Sequence, residues 1–153
     1  MEKITIEQLR THVQSIHFDR NPYDRYRELG QAAEYIHRNF ETYGLQVTRE
    51  PFQWEGVEVC NIIGEKKGKI SPGKVIILGA HYDSVPGSPG ADDNASAVAV
   101  LLEVARNVSR VSPGATVRFI AFALEEYGYA GSIHYAEKPG VSRQGASRQL
   151  LSA

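Results

Sequence analysis

Four consecutive aliphatic residues, Val75-Ile76-Ile77-Leu78, run without a break into Gly79-Ala80-His81-Tyr82-Asp83. An apolar run of strand length with no polar alternation predicts a central strand covered on both faces. After a Gly/Pro-rich loop, Ala95 to Arg110 is apolar on several faces through Val98, Val100, Leu101, Leu102, Val104, Ala105 and Val108, as in a helix packed well into a sheet. Ser112-Pro113-Gly114 stops it, and Thr116 to Ala123 supplies a second buried strand that ends at Leu124-Glu125-Glu126. Strand, helix, strand of these lengths predicts a βαβ crossover and therefore a parallel pair.

Upstream, residues 4 to 17 predict a short amphipathic helix, and Asp19-Arg20-Asn21-Pro22 reads as a loop. Leu29, Ala32, Ala33, Ile36 and Phe40 at helical spacing predict a helix over 27–43, ending beside Gly44. Leu45 to Phe52 and Val57 to Gly64 read as strands joined at Glu55-Gly56, and residues 66–73 as a polar solvated turn. With 153 residues, 42% of them hydrophobic and 23% charged, the chain has the composition of a globular domain and can bury a core without disulfides. Seventeen Lys plus Arg against eighteen Asp plus Glu leave a charge of −1, so no basic surplus points to nucleic acid or to an anionic membrane. Cys60 is the only cysteine, which rules out an internal disulfide and a Cys-rich zinc module. No apolar run reaches membrane-spanning length and no export signal is visible, so the expectation is a cytoplasmic protein.

His81, Asp83, Asp92, Asp93, Glu125 and Glu126 all fall just past the carboxyl ends of the two predicted strands, where open α/β sheets bind ligands. Imidazole with carboxylates and no nearby thiol suits zinc, with manganese or cobalt also accepted. Strand periodicity of two lets Asp83 reach the far ring nitrogen of His81 and fix its tautomer. A carboxylate such as Asp93 can bridge two cations about 3.5–4 Å apart. In the Glu125-Glu126 pair one residue can ligate while its neighbour takes a proton from an activated water. Each piece also has an ordinary reading. An isolated H-x-D is common, Asp92 to Ser96 would cap the following helix, and an acidic pair is usually a solvated turn. Their joint position at adjacent strand ends favours the chemical reading. His12, His17 and His37 lie in predicted helices where no acidic or histidine partner at suitable spacing makes a second site, and His134 has no ligand motif around it.

The stretch Gly79-Ala-His-Tyr-Asp-Ser-Val-Pro-Gly-Ser-Pro-Gly-Ala-Asp-Asp-Asn-Ala-Ser, followed by Phe122-Ala-Leu-Glu-Glu-Tyr-Gly-Tyr-Ala-Gly-Ser, resembles the di-zinc aminopeptidases, the twenty-eighth family of metallopeptidases. The Ala32-Ala33-Glu34-Tyr35-Ile36 helix, Tyr43-Gly44-Leu45 and Asn61-Ile62-Ile63-Gly64 are similar to the same family's entry region, so the resemblance spans about 25–138. It implies an α/β fold, a three-layer αβα sandwich with a mixed, centrally parallel sheet of the zinc-exopeptidase type. It also implies two zinc ions, with His81 on one, Glu126 on the other and Asp93 bridging both. Glu125 would be the general base and Asp83 the partner that orients His81, while Asp92 is the flanking acid. The implied reaction is hydrolysis of an N-terminal peptide bond. Zinc carboxypeptidases and deacylases of the same superfamily are the second reading.

The family pattern continues with a further Asp ligand and a later His ligand, neither of which follows Glu126 here. The expectation is therefore an N-terminal part of a zinc-peptidase domain over 1–138, with the C-terminal half missing, and an atypical, disordered tail over 139–153. Such a chain would bind metal poorly, turn over little or nothing, and self-associate through an exposed sheet edge. A non-catalytic remnant or assembly module is the alternative.

Overall fold

The computed structural model describes residues 2–138, so the expected tail at 139–153 lies outside the described residues. Helix α1 (Ile6–Ile16) starts at a reciprocal cap. Thr5 Oγ1 accepts the Gln8 N–H, and the Gln8 side chain accepts the Thr5 N–H. Asn21 Oδ1 then accepts the amides of Tyr23 and Asp24, turning the chain toward α2 (Tyr26–Thr42). Leu29, Ala32, Ala33, Ile36 and Phe40 are all buried along one face of α2, as their spacing predicts. Strands β1 (Gln46–Trp54) and β2 (Val57–Lys66) pair antiparallel around Glu55 and Gly56, whose φ values of 44° and 85° are those of a two-residue hairpin turn.

Strand β3 (Ser71–His81), helix α3 (Ala97–Ser109) and strand β4 (Ala115–Phe122) form the predicted crossover, with β3 and β4 parallel. The sheet order is β1-β2-β4-β3, and β4 runs antiparallel to β2, so the sheet is mixed and open. Helices α2 and α3 cover one face, where Ile62, Val117, Phe119 and Ala121 join the main core, and α1 packs outside them against α3. On the other face α4 (Ala130–Ala136) sets Tyr135 against Ile63, Ile120 and Phe122. Gly131 allows this approach, because a Cβ there would stand 2.3 Å from the Ala123 carbonyl oxygen.

Two expectations are corrected. Strand β3 provides the expected exposed sheet edge among the described residues, so Val75, Ile76 and Ile77 are 40%, 49% and 43% exposed and the central position that their aliphatic run predicts is not the one they hold here. The aliphatic run gives the strand its β propensity but leaves its neighbours undetermined. Residues 71–73 already belong to β3, with a register shift between Ser71 and Val75. His12, finally, makes no second cluster among the described residues but has an acidic partner that spacing did not indicate. Its Nε2 lies 3.1 Å from Glu103 Oε1 on α3 and its Nδ1 2.7 Å from the Tyr35 hydroxyl on α2. Helical spacing within α1 could not show a contact that spans 91 residues of sequence.

Candidate metal centre

Strands β3 and β4 end side by side, and the backbone pairing continues one step further as the Tyr82 N–H donates to the Phe122 carbonyl. This places His81 and Asp83 next to the Leu124-Glu125-Glu126 turn. Leu124 turns the chain there with φ of 58°, in the left-handed region that non-glycine residues rarely adopt and that clusters at functional sites. From the other side comes the Ala91–Ser96 segment, a kinked turn leading into α3 whose backbone is non-helical at Asp93 and Asn94, with a cis peptide between them. Ser96, the N-cap of α3, makes no side-chain capping bond; Asn94 Oδ1 accepts the Ala97 N–H instead, and the Asp93 carboxylate faces His81.

His81 Nε2 lies 3.0 Å from Asp93 Oδ1 and 3.8 Å from Glu125 Oε2. One donor atom each from His81, Asp93 and Glu126 fits within 4.8 Å of the others. His81 is buried, Glu126 half-buried and Asp93 exposed, so the group opens to solvent on its Asp93 side. Asp83 is wholly buried. Its Oδ1 accepts the Glu125 N–H at 3.0 Å and its Oδ2 the Glu126 N–H at 3.1 Å, while Oδ1 also stands 3.5 Å from His81 Nδ1. That last separation is at the long limit, and Nδ1 has no better partner. Asp92 carries no contact to the cluster; its carbonyl accepts from the Ser96 hydroxyl.

The electrostatics are those of a site short of positive charge. Burial pulls the His81 pKa down, but Asp83, Glu125 and Asp93 outweigh it and the net direction is up. Burial raises the Glu126 carboxyl, and the neighbouring charges of Asp93, Glu125 and Asp83 add to this against the opposing pull of His81. A cation between His81, Asp93 and Glu126 would relieve both effects, and one imidazole with two carboxylates is a donor set that zinc accepts.

Two supporting residues were not distinguished by sequence reasoning. Arg20, in what reads as a plain loop, is wholly buried and donates to four carbonyls around the site. Asn61 is equally buried. Its amide donates to Glu50 and to the Gly131 carbonyl while its oxygen accepts the Ala123 N–H, joining β2 to the turn that carries Glu125 and Glu126. The only sequence signal for Asn61 was its place in the Asn61-Ile62-Ile63-Gly64 element. The other histidines stay apart from the cluster: His17 Nδ1 contacts the Gln14 carbonyl, His37 contacts Glu41 at 3.5 Å, and the His134 ring stacks on Phe52. No helix among the described residues is long and apolar enough to cross a membrane.

Residues 61–149 match the profile of peptidase family M28, over both the strand ends and the turn just described. Aminopeptidase YwaD of Bacillus subtilis is 51% identical over 78 residues, which are 50% of this chain and 17% of that relative. Among solved structures, BSAP, a zinc aminopeptidase from Bacillus subtilis, superposes with a TM-score of 0.52 at 45% identity, covering 56% of this chain and 21% of that one. The fold alone is shared with the aminopeptidase from Aneurinibacillus sp. strain AM-1, at a TM-score of 0.75, 19% identity, 85% coverage of this chain and 65% of that one. The chain thus spans a minor part of the curated relatives it matches. With more than half of its length matched by the profile, the chain belongs to peptidase family M28.

Proposed function

We propose that this chain carries the metal-binding part of a zinc aminopeptidase that hydrolyses N-terminal peptide bonds of peptide substrates. The observation that carries the reading is the meeting of His81 and Glu126, at and just past the ends of two parallel strands, with Asp93 from the turn before α3, and with the Glu125 carboxylate 3.8 Å from His81 Nε2. These three residues would hold zinc, with Asp93 shared if two ions bind; a second ion would need ligands beyond these three. Bound there, zinc supplies a Lewis acid that polarises the scissile carbonyl and lowers the pKa of water.

The protein's own groups do the rest. His81 would hold the metal through Nε2, while Asp83 faces Nδ1 and favours the tautomer with its proton on that nitrogen. Asp83 also holds the amides of Glu125 and Glu126, so the base and the ligand are set by one buried carboxylate. Glu125 Oε2 takes a proton from the attacking water and passes it to the departing amine nitrogen. The exposed edge of β3 supports self-association as a second property of the chain.

Hydrolysis of aminoacyl-nitroanilides by the purified chain tests the reading. Turnover that needs zinc, stops with chelator and falls by about 10²–10⁴-fold in Glu125→Gln supports it. Zinc binding without turnover would instead favour a non-catalytic metal-binding module.

A further inference from the structure

A buried guanidinium costs free energy unless its charge and its N–H groups are satisfied. Arg20 is wholly buried, yet among the described residues no carboxylate lies within ion-pair distance of it. Its guanidinium instead binds carbonyl oxygens: Nε donates to Tyr82 at 2.5 Å, Nη1 to Pro89 at 2.7 Å and to Phe18 at 2.9 Å, and Nη2 to Gly90 at 2.9 Å. Four of its five donors are thus used, and three of the acceptors belong to the segment between β3 and α3. Tyr82 follows His81 directly, and Gly90 stands three residues before Asp93.

The neighbours of Arg20 brace the same segment. The Ser84 N–H donates to the Arg20 carbonyl, the Arg20 N–H to Ser84 Oγ, and the Gly87 N–H to Asp19 Oδ2 at 2.8 Å. The Gly90 carbonyl accepts the Ala95 N–H as well, joining the clamp to the turn that carries Asp93. Packing there is close. A Cβ on Gly90, whose φ is 53°, would stand 2.7 Å from the Asp93 carbonyl oxygen and 2.9 Å from Arg20 Nη2.

We propose that Arg20 is the positioning residue of the metal centre, clamping the Tyr82, Pro89 and Gly90 carbonyls so that His81 and Asp93 face each other before any cation arrives. This rests on the reading of the site as a zinc centre only for its purpose; the clamp itself is a property of the metal-free chain. Lysine cannot replace it, because an ammonium offers three donors from one point and no planar fork.

Amide hydrogen exchange of the metal-free chain and zinc affinity measured against a chromophoric chelator, both in Arg20→Lys, provide the test. Exchange at Gly87 and Ala95 is expected to rise at least about tenfold while the β1–β2 hairpin amides keep their rates, and zinc affinity to fall about 10–100-fold. Uniformly faster exchange across both regions, no change in exchange, or zinc affinity kept within about twofold of the parent chain would overturn the proposal. If the parent chain binds no zinc, the proposed function fails and the exchange pattern alone decides the clamp. Should Arg20→Lys not fold, Gly90→Ala presses on the same clamp from the other side. The same local pattern is expected from it, and native exchange at Ala95 would overturn the proposal.

Discussion

Asp83, wholly buried, accepts the backbone N–H of Glu125 at 3.0 Å, so the exit of β3 holds the exit of β4 in place. The second oxygen of the same carboxylate takes the Glu126 N–H at 3.1 Å. Replacing Asp83 by Ala removes both acceptors at once. Leaving a buried donor unpaired costs about 1–3 kcal/mol, and these two amides are half-buried, so chemical denaturation of metal-free Asp83→Ala should show a loss in the lower part of the pair's range, about 2–4 kcal/mol. Asp83→Asn keeps one acceptor and should lose less, but its zinc affinity should still fall about 10–100-fold, as His81 loses its anionic partner. Stability and zinc affinity equal to the parent chain in Asp83→Ala would show that the carboxylate organises neither.

The pH dependence follows from two shifted groups in the cluster. His81 and Glu126 both hold a proton more tightly in the folded chain than in the unfolded one, His81 through Asp83, Glu125 and Asp93 against burial, Glu126 chiefly through burial. A raised folded pKa gives stability that is present at low pH and lost as pH rises through the folded value. Metal-free stability contributed by this cluster should therefore decline as pH climbs from the carboxylate range past the imidazole range. Zinc affinity should rise over the same interval, because the ligands must be deprotonated. Urea denaturation with chelator at stepped pH, compared between the parent chain and His81→Ala, isolates the effect; matching slopes in the two proteins would contradict it.

Helices α1, α2 and α3 meet at His12, Tyr35 and Glu103, and Glu103 also receives the Arg106 guanidinium at 2.8 Å. Both His12 and Glu103 are buried. Glu103→Ala strands an imidazole and part of a guanidinium and should cost about 3–5 kcal/mol in urea denaturation. Glu103→Gln retains an acceptor and should cost less. Equal losses in the two variants would mean that packing, and not the hydrogen bonds, supplies the stability.

The half-exposed Val75, Ile76 and Ile77 lie on a strand that pairs on one side only among the described residues. Such an edge invites pairing with another chain. Sedimentation should show concentration-dependent association of the parent chain and a shift toward monomer in Ile76→Lys, with folding stability changed by less than about 1 kcal/mol. A parent chain that stays monomeric at every concentration would contradict the self-association reading.

Local pattern carried much of this fold. The α2 stripe from Leu29 to Phe40, the two-residue turn at Glu55-Gly56 and the crossover from Val75 to Ala123 were legible because each follows from spacing or turn chemistry over a few residues. His81, Asp83, Asp92, Asp93, Glu125 and Glu126 were legible as candidates because strand ends gather ligands, the narrower set of three came only from the family resemblance, and the structure brings donor atoms of His81, Asp93 and Glu126 within 4.8 Å of one another. Position in the sheet was not legible: the aliphatic β3 reads as central, and its burial depends on neighbours that its own residues do not specify. Contacts across long sequence separations were hidden as well. Arg20 reads as a loop residue until its four carbonyls are seen, and nothing in the local pattern singles out Glu103, which meets His12 from 91 residues away.

Zinc held by His81, Asp93 and Glu126, as proposed above, should stabilise the folded chain, which thermal melting of the metal-free protein with and without zinc measures. Zinc at about a hundred times its dissociation constant adds about 2.7 kcal/mol, which for a chain of this size raises Tm by about 5–10 °C. That rise is expected in the parent chain and should be lost in His81→Ala, Asp93→Ala and Glu126→Ala. A parent chain whose melting is unmoved by zinc, or variants that keep the full shift, would contradict it.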